Sequence, residues 1–143
     1  MKVAIFNEFI HEKENEKVGE IYPDGIHMAI KNFLPKEYEI VTTTLDDCEQ
    51  VLTPEFLQTV DVLLWWGHVG HHKVSDKVAC DVRDAVHSGM GFIALHSGHH
   101  SKPFKLLMGT PCSLSWREHG DKERVWVIDP SHPIARGIDR YFV

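Results

Sequence analysis

Short unbroken apolar runs alternate along the chain with stretches whose apolar residues recur at helical spacing. That alternation limits the possible folds more than any other feature. Val3-Ala4-Ile5-Phe6 contains no polar residue, as expected of a strand covered on both faces rather than half in water. Val60-Asp61-Val62-Leu63-Leu64-Trp65-Trp66, apolar apart from Asp61, and Phe92-Ile93-Ala94-Leu95 are similar runs, and Tyr38-Glu39-Ile40-Val41-Thr42 is a β-branched, alternating one. Between them, Ile26, Ala29, Ile30, Phe33 and Leu34 share a helical face, with Asp24 placed to cap the helix and Pro35 to stop it. Thr53-Pro54-Glu55 supplies a cap, a first-turn proline and an acidic first turn. Ser75 caps a helix with the stripe Val78, Ala79, Val82, Ala85 and Val86, ended by Gly89. A further helix is predicted from about Ser101 to Met108. The predicted class is α/β: a mainly parallel sheet with helices on both faces.

After the fourth strand the pattern weakens. Ser113-Leu114-Ser115-Trp116 and Arg124-Val125-Trp126-Val127-Ile128 predict a β-ribbon or two more strands, and Ser131-His132-Pro133-Ile134 a short helix. The polar stretch from His11 to Gly19 carries no clear periodicity. With an apolar end at Tyr141-Phe142-Val143, the chain reads as a single domain over 1–143 whose C-terminal part is absent.

A length of 143 residues, 43% hydrophobic and 25% charged, suits a globular domain. The net charge of -6, without a Lys/Arg block, disfavours nucleic acid as a partner. No apolar run approaches the roughly 18 residues of a membrane span, and Glu8 interrupts the N-terminus too early for a signal-peptide core. The expected location is the cytoplasm. Cys48, Cys80 and Cys112 are odd in number and lack a C-x-x-C pair, which argues against a disulfide scaffold or a zinc knuckle.

Functional groups of a doubly wound sheet collect beyond the carboxyl ends of its strands. The first strand leads to Asn7-Glu8, with His11 close behind. The third leads to Gly67-His68-Val69-Gly70-His71-His72, and the fourth to His96-Ser97-Gly98-His99-His100. Many of the 11 histidines are thus predicted to meet on one rim. Two chemistries stay open. A divalent metal such as zinc would take His11, His68, His71 and His99 as ligands. Alternatively, imidazoles act as general acid and base near neutral pH. His96, Glu8 and Glu118 are the candidate catalytic groups, Glu8 because it follows a buried strand, where desolvation acts on a carboxylate. Glu118 has pairing with Arg117 as its plainer role. Asn7, Trp66 and Ser97 are the candidate substrate contacts: an amide suits hydroxyls, and a rim tryptophan can stack on the apolar face of a sugar. His27, His87 and His132 read as structural.

Three motif matches fail. Gly89-Met90-Gly91-Phe92-Ile93-Ala94 spells G-x-G-x-x-A but precedes a strand, and with no Walker loop present no nucleotide cofactor is expected. His11-Glu12-Lys13-Glu14-Asn15 begins like H-E-x-x-H and ends on asparagine. Leu95-His96-Ser97 has the place of a nucleophile elbow but not the G-x-S-x-G pattern.

The elbow, together with Asn7-Glu8-Phe9 and His11, Tyr22-Pro23-x-Gly25, Trp65-Trp66-Gly67-His68 with His71, Met108-Gly109-Thr110, Trp116-Arg117-Glu118 and His132-Pro133-Ile134, resembles the trehalose-utilisation (ThuA-like) proteins of the class I glutamine-amidotransferase-like superfamily. The resemblance implies a flavodoxin-like three-layer sandwich and use of trehalose or keto-sugars. Amidotransferase relatives carry a Cys on the elbow. Here His96 stands there, so thiol-dependent glutamine hydrolysis is not expected. The expectation is a cytoplasmic sugar-metabolism enzyme with a histidine-rich, metal-supported acid/base site. It would act on a small sugar, with a homo-oligomer as the one expected protein assembly and without nucleic-acid or membrane partners. The rival reading is a sugar-binding or regulatory subunit without catalysis, and a weaker one is a hydrolase using Ser97 or a cysteine.

Overall fold

Four parallel strands form the central sheet: β1 (Lys2–Asn7), β2 (Glu39–Thr44), β3 (Val62–Trp66) and β4 (Gly91–Leu95), in the order β2-β1-β3-β4. A computed structural model of the chain describes residues 1–116 and 119–143, so Glu118 and its neighbour Arg117 lie outside the described residues. The chain divides into two units, Met1–Ser113 and Leu114–Val143.

In the first unit the continuous apolar runs have their expected consequence. Val3 and Ile5 of β1 point to one face of the sheet, into a cluster with Leu64 packed by Ile30 and Leu34. Ala4 and Phe6 point to the other face, into the larger cluster with Leu57, Leu63, Trp65, Val78 and Val82. Trp65 stacks on Phe6 at 3.9 Å between ring centroids. The helices are α1 (His11–Glu14), α2 (Glu16–Ile21), α3 (Ile26–Phe33), α4 (Cys48–Val51), α5 (Pro54–Leu57), α6 (Asp76–His87) and α7 (Lys102–Met108). With α3 on one face and α5 and α6 on the other, the arrangement is α/β and flavodoxin-like.

Caps read from sequence are in place at Thr53 and Ser75, whose side chains accept from Phe56 and Val78 N–H, and the helix expected from about Ser101 is capped by Ser101 itself, accepting from Phe104 N–H. Two local expectations change. The stretch after β1 is helical, with Asn15 capping α2 through Val18 N–H. The N-cap of α3 is Gly25 rather than Asp24. Gly25 has φ 84°, and a Cβ there would fall 2.5 Å from the His27 ring. The buried Glu12 Oε1 accepts from Ile26 N–H, at the first residue of α3.

In the second unit β5 (Val125–Trp126) pairs antiparallel with β6 (Tyr141–Phe142), extended by Val127 N–H donating to Arg140. Ser113–Trp116 is not the partner strand, because the chain reverses through the tight turns after Asp129 and brings the 141–142 segment alongside instead. Ser131–Ile134 gives a 3-10 turn at Pro133–Ala135, capped by His132 Nδ1 accepting from Ile134 N–H. No helix among the described residues is long and apolar enough to cross a membrane.

Candidate functional site

The strand order reverses between β1 and β3, the place where a flavodoxin-like sheet opens its ligand crevice. Asn7 and Glu8 leave β1 on one side of that opening, and Gly67-His68-Val69-Gly70 leaves β3 on the other. Glu8 bridges them. Its Oε2 accepts from the backbone N–H groups of His68, Val69 and Gly70 at 2.8, 2.9 and 2.8 Å. Its Oε1 faces His71 Nδ1 at 3.3 Å. The Glu8 carboxylate is buried, and its contacts make it an anchor for the loop after β3.

Asn7 is fully buried. Its Oδ1 accepts from Phe9 N–H, and its amide nitrogen donates to Glu12 Oε1 and His27 Nδ1, both at 2.8 Å. These bonds direct the side chain into the interior, away from any substrate hydroxyl. Burial lowers the His27 pKa against the opposing pull of Glu12 and Asp47, so an accepting, neutral imidazole fits this network.

β4 ends on a strained residue. His96 has φ 45°, the left-handed region that non-glycine residues seldom occupy. Two residues on, a Cβ at Gly98 would come 2.8 Å from the Trp65 carbonyl oxygen. The turn can therefore pack against β3 only with glycine there. The elbow read from the sequence is present, with an exposed imidazole at its tip.

Around Trp66 the imidazoles gather. The ring centroids of His68 and His96 lie 6.4 and 6.1 Å from it, and His11 stacks on His68 at 4.6 Å. His68 Nδ1 lies 3.0 Å from Ser97 Oγ, whose proton goes to the Gly67 carbonyl at 2.8 Å. Burial lowers the His68 pKa, and His11 and His96 add to that against the opposing charge of Glu8. Beside His96 a groove of about 410 Å³ opens, lined by Tyr22, Ile30, Phe33, Trp66 and Leu95 among others.

A second group lies deeper. His71 is lowered by burial despite Glu8, and neither of its ring nitrogens has a hydrogen-bond partner. His100 lies 6.1 Å from His71 and 3.9 Å from His99 between ring centroids. His99 Nδ1 donates to the Cys112 carbonyl at 2.8 Å.

Of the residues expected at the rim, His11, His68, His96, Trp66 and Ser97 come together. His71 and Glu8 form a pair beneath them, and His99 turns toward Cys112. Of the four histidines expected as metal ligands, His11 and His68 stack on each other while His71 faces Glu8 and His99 the Cys112 carbonyl, and among the described residues no three His, Cys, Asp or Glu side chains are grouped to hold an ion. This donor set does not fit a shared metal. Glu12 is the important residue that sequence reading misses. Its signal was the failed H-E-x-x-H match, which draws attention to His11 rather than to the carboxylate beside it.

Compared with known proteins, residues 2–143 match the model of a family described as ThuA, trehalose utilisation. No curated protein matches the chain.

Proposed function

The chain belongs to the ThuA, trehalose-utilisation family, and on that premise we propose that it is a carbohydrate-utilisation enzyme whose rim imidazoles perform acid/base chemistry on a sugar. One observation carries the reading: His68 and His96 lie 6.4 and 6.1 Å from Trp66, between ring centroids, at the carboxyl ends of adjacent strands. A tryptophan close to proton-transfer groups suits a pyranose, whose apolar face stacks while its polar edge meets the imidazoles. The groove beside His96 is of a size to admit a sugar ring.

The substrate class that fits is a keto-sugar. His68, whose pKa partial desolvation lowers, takes the proton from the carbon next to the carbonyl. The C–H electron pair becomes the C=C bond of an enediol, and the carbonyl oxygen receives a proton from His96. Returning the two protons to other positions isomerises the sugar, and expelling a β-substituent eliminates it. His11, stacked on His68, resists a second positive charge nearby and so helps keep the base unprotonated. No step is drawn through a metal, because the expected ligands do not converge. The proposed setting is the cytoplasm, which suits the three free thiols of Cys48, Cys80 and Cys112.

The test is turnover of trehalose and of its keto derivative, followed by proton NMR. His68→Gln and His96→Ala should each slow conversion at least about 100-fold. Conversion at the wild-type rate by both variants would overturn the acid/base reading. Tight sugar binding with no conversion by the wild type would favour a binding subunit instead.

A further inference from the structure

We propose that Ser97 is a positioning residue that fixes His68 in one neutral tautomer, with the proton on Nδ1 and the lone pair on Nε2. The assignment is a proton count. Ser97 Oγ is 2.8 Å from the Gly67 carbonyl oxygen and 3.0 Å from His68 Nδ1. A hydroxyl has one proton, and a carbonyl can only accept. The Ser97 proton therefore goes to Gly67, and Ser97 meets His68 as an acceptor. That bond requires hydrogen on Nδ1, which in a neutral ring leaves Nε2 unprotonated.

The surroundings hold this arrangement in place. Stacking on His11, at an interplanar angle of 23°, and the nearly parallel Trp66 ring, at 10°, fix the plane of the His68 ring. The Ser97 backbone is set by the left-handed turn at His96 and by the close packing of Gly98 on the Trp65 carbonyl. The elbow of β4 thereby serves the loop after β3. In a hydrolase such a turn presents a nucleophile, whereas here it points the next hydroxyl back to orient a base on the neighbouring strand. The same proton count removes Ser97 as an activated nucleophile, since its proton lies on a carbonyl and not on a base.

This inference rests on the reading of His68 as the base, but its first test needs no substrate. Long-range proton–nitrogen NMR of the neutral protein, with the His68 signals identified by their loss in His68→Gln, reports which ring nitrogen is protonated. The wild type should show a protonated Nδ1 and an unprotonated Nε2. Ser97→Ala should shift His68 toward the Nε2–H form, and Ser97→Thr, which keeps the hydroxyl, should restore the wild-type pattern. A wild-type His68 protonated on Nε2 would overturn the proposal even if Ser97→Ala failed to fold, and so would a pattern unchanged in Ser97→Ala. In the turnover assay Ser97→Ala should lower kcat about 100-fold with little change in KM. If the tautomer shifts while turnover does not, the positioning role stands and the catalytic reading of His68 fails.

Discussion

Glu8 Oε2 gathers three successive backbone N–H groups from the loop that carries His68. Removing that acceptor leaves three donors, the buried Gly70 N–H among them, with no protein partner, a loss that typically costs about 1–3 kcal/mol. Glu8→Ala should therefore lower stability by about that amount in urea unfolding, and Glu8→Gln, which keeps one carbonyl oxygen, should lose less. Equal stability of Glu8→Ala and wild type would show that the loop is held by other contacts. Gly98 offers a second residue-scale test. Its Cβ would stand 2.8 Å from the Trp65 backbone oxygen, a contact that no side-chain movement relieves. Gly98→Ala should cost about 1–3 kcal/mol through the forced shift of the elbow, read as a lower Tm. From the sequence, Glu8 was legible as a buried carboxylate but not as a loop anchor, because its three donors lie about sixty residues away and on the backbone.

Among the elements, α6 is legible because cap and stripe agree, Ser75 with the Val78–Val82 face, and α5 because Thr53 and Pro54 mark its start, whereas the single turn of α4 carries no such signal. α1 and α2 are not legible either, since His11–Ile21 has no apolar stripe. These helices depend on the Asn15 cap and on buried Glu12, an interior carboxylate that periodicity cannot reveal. The Asn7–Glu12–His27 network at the start of α3 has a consequence for pH. Burial lowers the pKa of His27, as it does for His68 and His71. The unfolded chain therefore binds protons more readily than the folded one just below the ordinary imidazole value of about 6.5. The stabilisation is fully present above that pH and is lost as pH falls toward the lowered folded values. Urea unfolding at pH 7.5 and 5.5 should show lower stability at the acid end. His27→Gln, which can still accept from Asn7, should reduce the difference. A difference of the same size in that variant would place the acid sensitivity elsewhere.

At the scale of the whole molecule, alternating strands and helices make the α/β class legible, and the places where strands end bring His11, His68, His96 and Trp66 to one edge of the sheet. The partners of each histidine are not legible. His68 and Ser97 meet across 29 residues and His99 meets the Cys112 carbonyl, so spacing along the chain says little about which rings share a ligand. The β5–β6 ribbon is likewise a non-local pairing that the local pattern assigns to the wrong segment. The central claim is that His68 and His96 move protons at a sugar carbon, and solvent exchange tests it most directly. Incubated in heavy water with the keto derivative of trehalose, the protein should replace the hydrogen next to the carbonyl with deuterium, as seen by NMR. His68→Gln and His96→Ala should abolish the exchange. Binding of the sugar without exchange in the wild type, or exchange that persists in both variants, would contradict the account.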